Sequence, residues 1–149
     1  MEPSIYEYAG GAPAFERLAV AMHARCLADP VLEHPFSHTG NPRHLENLAA
    51  YWAEVLGGPP AYTTSVSTHS SMLALHAGEG ADSDLGERFL ACFLRALDDA
   101  GFPPQERLRS ALRAYMEWAV AEVMACSPPG SRVPDGLPMP HWDWAGLRQ

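Results

Sequence analysis

Three histidines lie close together early in this sequence, and the first question is what chemistry they serve. His34, His38 and His44 fall within the stretch HPFSHTGNPRH. An imidazole binds transition metals and moves protons near neutral pH, so a metal site and acid–base catalysis are both candidate uses. The three histidines straddle a loop-like stretch and Pro42, however, so no single helical face fixes them together. The spacing therefore favours histidines that surround a metal-bearing group over histidines that bind a metal by themselves.

Motifs for several other kinds of site are missing from the sequence. It contains neither C-x-x-C nor H-E-x-x-H, the spacings that are typical of zinc sites. It has no Glu-x-x-His pair for a di-iron bundle and no G-x-S-x-G elbow for a serine hydrolase. Gly57-Gly58 is typical of a helix stop and not of a phosphate loop.

The composition argues against several partners and locations. The net charge is −8 and all ten basic residues are arginine, which argues against nucleic acid and anionic membranes. No apolar run approaches a membrane span, and the N-terminus lacks the pattern of a secretory signal. Cys26, Cys92 and Cys126 are widely spaced and odd in number, as expected of buried, reduced thiols. We therefore expect one cytoplasmic domain with a single core.

Glycine and proline divide the chain into helical segments, each with an apolar stripe. The helix over residues 12–29 has His23 beside its stripe, and the next helix is predicted to start at Asn41 and Pro42 and to stop at Gly57. A short helix follows over residues 70–77, and longer helices follow over residues 82–100 and 103–126. The predicted stripes are Phe15, Leu18, Ala19, Met22 and Cys26; His44, Leu48, Tyr51 and Val55; Leu85, Phe89, Cys92, Phe93 and Ala96; and Leu108, Leu112, Tyr115, Ala119 and Val123.

Two stretches are predicted to lack helix. Residues 60–69, rich in Pro, Ser and Thr, are predicted to form a loop. The tail from Ser127 is rich in Pro and Gly, but it contains Trp142 and Trp144, which rarely stay in water without a surface to cover. The tail is therefore predicted to be extended and to lie back on the helices. We find no strand pattern and no internal repeat.

Two predicted helices each present a histidine among apolar residues. His76 follows Met72 and Leu73 by about one turn, and His44 precedes Leu48 by one turn. An iron porphyrin needs such a slot, with an imidazole on one side, apolar walls, and a polar group on the other side.

Four motifs, in this order, resemble those of the truncated haemoglobins. They are Y-x-Y-x-G-G-x-x-x-F at residues 6–15, YWAEVLGGPPAY at 51–62, THSSMLALHAG at 68–78, and the tail VPDGLPMPHWDW at 133–144. The second motif resembles the end of the distal helix in group II, the third resembles the proximal segment, and the tail resembles that of actinobacterial members. The resemblance implies an all-α fold with helices packed two on two over residues 1–127, and a packed Pro-rich extension over residues 128–149.

The resemblance also implies haem b as the cofactor and assigns residues to its pocket. The iron ligand of the family matches His76. Phe36 matches a residue that packs on the porphyrin, and His44 and Leu48 match residues of the distal helix above the iron. Tyr62 and His69 match positions near the propionates. The expected cofactor-binding residues are Phe36, His44, Leu48, Tyr62, His69, Met72, Phe89 and Tyr115.

The sequence departs from the family pattern at two distal positions. The usual distal tyrosine is His23 here, and the tryptophan typical of group II is Phe89, which cannot donate a hydrogen bond. The donor to the bound ligand is therefore expected to be His44 first and His23 second, and either could bind the iron itself. The alternative for His23 is a core histidine, and for His44 a solvated residue in the first helical turn. His34, His38 and His141 are expected to be surface or structural residues.

The expected function is reversible binding of O₂ or another small diatomic ligand. The alternative is a haem redox enzyme for NO dioxygenation, peroxide cleavage or nitrite reduction. Because the sequence carries no reductase domain, such an enzyme would need an external electron donor. A third reading is a haem-free helical interaction module. A homodimer is a further expectation from the family.

Overall fold

A computed structural model describes residues 2–33, 43–76, 84–126 and 132–148 of the chain, and for residues 74–76 it describes the backbone only. His34, Phe36, His38, Asn41 and Pro42 lie outside the described residues. The helices are α1 (Ile5–Ala9), α2 (Ala12–Ala28), α3 (His44–Val55), α4 (Ala61–Ser65), α5 (His69–His76), α6 (Leu85–Asp99) and α7 (Glu106–Ala125). Two short strands, β1 (Trp142–Asp143) and β2 (Gly146–Leu147), pair antiparallel in the tail.

The main helices pack as two pairs, α2 with α3 and α6 with α7. Helix α2 packs against both α3 and α6, so it connects the two pairs. The predicted stripe of α2, from Phe15 to Cys26, is fully buried. Trp52 of α3 meets Phe93 of α6 edge to face, with ring centroids 5.6 Å apart. The predicted all-α architecture is thus confirmed, and the apolar stripes identified in the sequence form its core.

Glycine shapes the end of α3 as predicted. The helix ends at Val55, and Gly57 has a φ of 102°, which is costly for residues with a side chain. A Cβ on Gly58 would lie 2.7 Å from the Ala53 carbonyl oxygen and 2.8 Å from the Tyr6 ring. Only glycine allows the chain to turn this closely against α1.

The prediction of a loop over residues 60–69 is wrong, because α4 lies within it. The buried carboxylate of Glu54, on α3, accepts hydrogen bonds from the Thr63 backbone N–H at 2.9 Å and the Thr63 hydroxyl at 2.8 Å. The acceptor of both bonds belongs to α3 and lies outside the five-residue helix that it stabilises. A composition rich in Ser, Thr and Pro does not reveal such a tertiary contact.

The expectation that no strands are present is also wrong. Trp142 pairs with Leu147, and Asp143 pairs with Gly146. Each strand has two residues, which is too short to leave an alternating pattern in the sequence.

The tail residues 132–148 contact α7 and the N-terminus. Trp142 is 9% exposed, and its ring lies 5.8 Å from Tyr115 and 6.0 Å from Trp118 on α7. Trp144 donates its indole N–H to the Pro3 carbonyl at 2.8 Å, and the Arg107 guanidinium lies 4.4 Å from its ring centroid. The proposed division into a globin domain and an extension at residues 127–128 falls outside the described residues. None of the described helices is long and apolar enough to cross a membrane.

The contacts of Trp142 predict how much the tail contributes to stability. Trp142→Ala removes a large buried ring that packs against α7, so it should lower the free energy of unfolding by about 3 kcal/mol. Trp142→Phe should cost less. It keeps an aromatic ring and removes a buried indole N–H that has no hydrogen-bond partner among the described residues. Urea unfolding followed by circular dichroism measures both changes.

The matched control is Val20→Ala on α2, where the side chain is 57% exposed. It should change the free energy of unfolding by less than about 0.5 kcal/mol. Equal losses for Trp142→Ala and Val20→Ala would contradict the view that the tail is part of the core.

Candidate functional site

Packing of α2 against α3 brings two histidines face to face. His23 of α2 and His44 at the start of α3 have ring centroids 5.9 Å apart and planes inclined by 62°. Both side chains are half-buried. These are the two residues that the sequence predicts on the distal side of the cofactor, and the fold places them together.

The His23 ring has a polar atom that the described residues do not satisfy. Its Nδ1 is buried and has no hydrogen-bond partner among the residues that the structure describes. A buried, unsatisfied polar atom costs about 1–3 kcal/mol. A role in a binding site explains this cost, whereas a role in the apolar core does not.

On the face of α3 that begins with His44, the next residues are a leucine and then a tyrosine. Leu48 is half-buried one turn after His44, and Tyr51 is buried about one turn further. The Tyr51 ring meets Tyr62 edge to face at 5.1 Å. Tyr62 is buried as well, and burial, followed by the nearby Glu54 charge, raises the pKa of its hydroxyl.

His69 connects three helices through both of its ring nitrogens. The Tyr51 hydroxyl of α3 lies 2.9 Å from Nδ1, and a Glu122 carboxylate oxygen of α7 lies 2.9 Å from Nε2. A carboxylate only accepts, so Nε2 carries the hydrogen. Burial is the main cause that raises the Tyr51 pKa far above its ordinary value, so its hydroxyl stays protonated and can donate to Nδ1.

These bonds bear on the expected propionate contact of His69. Neither ring nitrogen can bond a propionate unless it gives up Tyr51 or Glu122. Neither Tyr51 nor Glu122 was predicted as a partner of His69 from the sequence. Tyr51 shares a helical face with His44, which is a usable signal, but Glu122 lies 53 residues from His69 along the chain and leaves no local signal.

The helix expected to carry the iron ligand is held at its first turn. His76 is the last residue of α5, and its side chain lies outside the described part of the structure. At the other end, the Ser70 hydroxyl donates to the Pro134 carbonyl at 2.8 Å and accepts from the Leu137 N–H at 2.9 Å. The first turn of α5 therefore contacts the tail as well as α3 and α7.

The remaining predicted pocket residues are spread over three helices. Met72 of α5 and Phe89 of α6 are half-buried and pack against the core. Tyr115 of α7 is fully buried beside Trp142, and burial raises its pKa. Phe36 lies outside the described residues. The structure therefore shows where Met72, Phe89 and Tyr115 lie, and their contact with a cofactor stays a prediction.

Two other kinds of chemistry find no support among the described residues. No group of three or more His, Cys, Asp or Glu side chains there could hold a metal ion. Burial, followed by the neighbouring Cys92 thiol, raises the pKa of Cys26 to about 12. Burial also raises the pKa of Cys92. Both thiols therefore stay protonated at neutral pH and are poor nucleophiles.

Comparisons with known proteins were made for the sequence and for the fold. A sequence profile of the bacterial-like globin family matches residues 4–124. A haemoglobin from the thermophilic phototrophic bacterium Chloroflexus aurantiacus is 30% identical, with a TM-score of 0.69, over 83% of this chain and 98% of that chain. A thermostable haemoglobin from the actinobacterium Thermobifida fusca is 26% identical, with a TM-score of 0.66, over 82% and 97%.

A third structure supports the fold alone. The group II truncated haemoglobin from Bacillus anthracis is 20% identical, with a TM-score of 0.71, and the match covers 88% of this chain and 97% of that chain. A search of curated proteins finds no match.

Proposed function

Because the chain belongs to the bacterial-like globin family and has a truncated globin fold, we propose that it reversibly binds O₂ or another small diatomic ligand at an iron held by His76. The family implies a haem cofactor. Haem, when bound, would supply an iron that can bind a protein imidazole and a small ligand. The observation that carries the proposal is the pairing of His23 with His44, with a buried imidazole nitrogen between α2 and α3.

The described residues fit such a group on the distal side. His23 Nδ1 is buried without a hydrogen-bond partner among them, and His44 lies across from it. Leu48 continues this wall with an apolar side chain on the same face of α3. The combination provides polar imidazole groups and an apolar side chain side by side, which is the kind of lining that a haem would need.

The proximal assignment of His76 rests on the family resemblance and on the position of α5. The helix ends at residue 76, and Leu73 is buried about one turn earlier. Burial of Leu73 therefore holds this part of α5 in the core. We propose that His76 supplies the iron ligand from this end of the helix.

The distal residues are proposed to retain the ligand by hydrogen bonding. Phe89 stands where group II members have a tryptophan donor, so the hydrogen bond must come from His44 or His23. A hydrogen bond to a charged or strongly polarised group contributes about 1.5–3 kcal/mol. We assign His44 as the main donor and His23 as the second.

Absorption spectra of the protein purified with haem supplied test the cofactor and its ligand. The wild type should show a Soret band and, when reduced, the spectrum of five-coordinate ferrous haem. His76→Ala should lose that spectrum because it removes the iron–imidazole bond, and added imidazole should restore it. His141→Ala, at an exposed position in the tail, is the control.

Two results would contradict this part of the proposal. A wild type without a Soret band would favour a haem-free helical module. A His76→Ala protein with the wild-type ferrous spectrum would mean that another residue holds the iron.

Ligand release after rapid mixing tests the distal assignment. His44→Leu should release O₂ roughly 10- to 100-fold faster, since that range corresponds to the loss of one such hydrogen bond. His23→Leu should have a smaller effect in the same direction, and His141→Leu should have none. Unchanged release in both His23→Leu and His44→Leu would contradict distal donation by this pair.

A second function, a haem redox enzyme, is favoured by the same pair of histidines. The candidate reactions are NO dioxygenation, peroxide cleavage and nitrite reduction. Two adjacent imidazoles can pass a proton to or from a distal ligand, which peroxide cleavage and nitrite reduction require. Such turnover would need an external reductant, so an electron-donor protein is the proposed partner in this case.

Turnover experiments distinguish carrier from enzyme. The ferrous protein equilibrated with O₂ is mixed with NO, and the ferric protein with peroxide, each with and without an electron donor. We expect a single or slow event, as for a carrier. Repeated turnover that depends on the donor and falls in His44→Leu would show that the redox function is correct.

The proposal includes three further assignments: the type of haem, the location and the oligomeric state. Haem b is proposed because the sequence has no C-x-x-C-H for covalent attachment. A cytoplasmic location is proposed because Cys26, Cys92 and Cys126 are all free thiols. A homodimer is proposed from the family resemblance alone.

A further inference from the structure

His69, the first residue of α5, is held by contacts with two other helices. His69 is 3% exposed, and its two ring nitrogens bond Tyr51 and Glu122, which belong to two other helices. The imidazole also lies nearly parallel to the Tyr51 ring, with an interplanar angle of 13° and centroids 6.0 Å apart. The ring of His69 is therefore fixed in position, in tilt and in tautomer.

Helix α5 depends on contacts of this kind. It has eight residues, and isolated helices of this length are unstable in water because too few hydrogen bonds offset the cost of nucleation. The bonds of His69 restrain the helix from α3 and α7, and those of Ser70 restrain it from the tail. The hydrogen bonds at its first turn thus restrain the position of the helix.

We propose that His69 is a positioning residue for the iron ligand, which it sets in place by locking α5 to Tyr51 and Glu122. His76 lies about two turns further along the same helix, roughly 10 Å away. A short helix moves as a unit, so a shift or rotation at His69 reaches the ligand position. This inference rests on the proposed function, because it requires that His76 bind the iron.

The role differs from the propionate contact that the family resemblance implied for His69. In the proposed role, His69 need not touch the cofactor, and Tyr51 and Glu122 influence the iron through α5 alone. Glu122 is 29% exposed and Tyr51 is buried, so the three side chains run from near the surface into the core.

Three variants weaken or remove the bonds, one at a time or together. Tyr51→Phe removes the hydroxyl, Glu122→Gln replaces the charged acceptor with a weaker neutral one of the same shape, and His69→Phe removes both bonds but keeps a ring. The matched control is Glu117→Gln, the same change on the same helix. Glu117 is 53% exposed and pairs with Arg113.

The first measurement uses the haem-free protein. Hydrogen–deuterium exchange of the α5 backbone amides should become about 10-fold faster in His69→Phe and Glu122→Gln, and should be unchanged in Glu117→Gln. Wild-type exchange in both His69→Phe and Glu122→Gln would overturn the claim that these bonds hold the helix.

The second measurement uses the haem-loaded protein. The iron–imidazole stretching band in the resonance Raman spectrum of the ferrous state should shift in all three variants. Haem transfer to an excess of a scavenging apoglobin should become roughly 10-fold faster, as is typical when a group that orients a metal ligand is lost. Glu117→Gln should match the wild type in both.

The two proposals fail in different ways. If the wild type binds haem through His76 but the variants keep its Raman band and its rate of haem loss, the positioning role is overturned and the function stands. If the wild type takes up no haem, the proposed function and the positioning of an iron ligand both fall. Amide exchange would then report on the helix alone.

Discussion

A helix of eight residues cannot hold its own position, and the proposed site depends on one such helix. Helix α5 gains its order from outside, through hydrogen bonds at His69 and Ser70 and through burial of Leu73. Any ligand carried at its end inherits its geometry from α3, α7 and the tail. The site is therefore a property of the whole domain, and residues far from the cofactor can change it.

Helix α2 positions His23 in a similar way, through its packing on neighbouring helices. Its stripe from Phe15 to Cys26 is buried against α3 and α6, which fixes both its rotation and its distance from α3. His23 lies beside that stripe, so the apolar packing of α2 brings it to His44. This packing thus offsets the cost of burying an Nδ1 that has no partner among the described residues. Such an arrangement is usually retained where the atom has a use.

The sequence predicts those features that depend on helical periodicity or on a resemblance in motif order. The stripes of α2, α6 and α7, the stop at Gly57 and the all-α fold are of this kind, because each depends on residues a few positions apart. The helix Ala61–Ser65 was missed, since its stabilising partner is the Glu54 carboxylate and its own composition favours a loop. The two-residue strands of the tail were missed because they are too short to show a period.

The partners of His69 show the same limit at the site. A histidine at the start of a predicted helix gives no sign that a tyrosine 18 residues before it and a glutamate 53 residues after it will converge on its ring. Resemblance could assign His69 to a position near the cofactor, but only packing shows that both nitrogens are occupied. In the proposed role, a residue that the motif assigns to cofactor contact instead positions the residue that makes the contact.

The two departures from the family pattern point in one direction physically. A tyrosine hydroxyl and an imidazole can each donate and accept a hydrogen bond, a tryptophan can only donate, and a phenylalanine can do neither. His23 therefore keeps a donor on α2, Phe89 removes one from α6, and the polar groups of the proposed distal side are those of the His23–His44 pair. An imidazole pair can also exchange a proton, which a tyrosine at neutral pH does poorly. In the proposed site, the substitution that keeps a donor for a bound ligand would therefore add a capacity for proton transfer, and this capacity would connect the proposed carrier and redox functions.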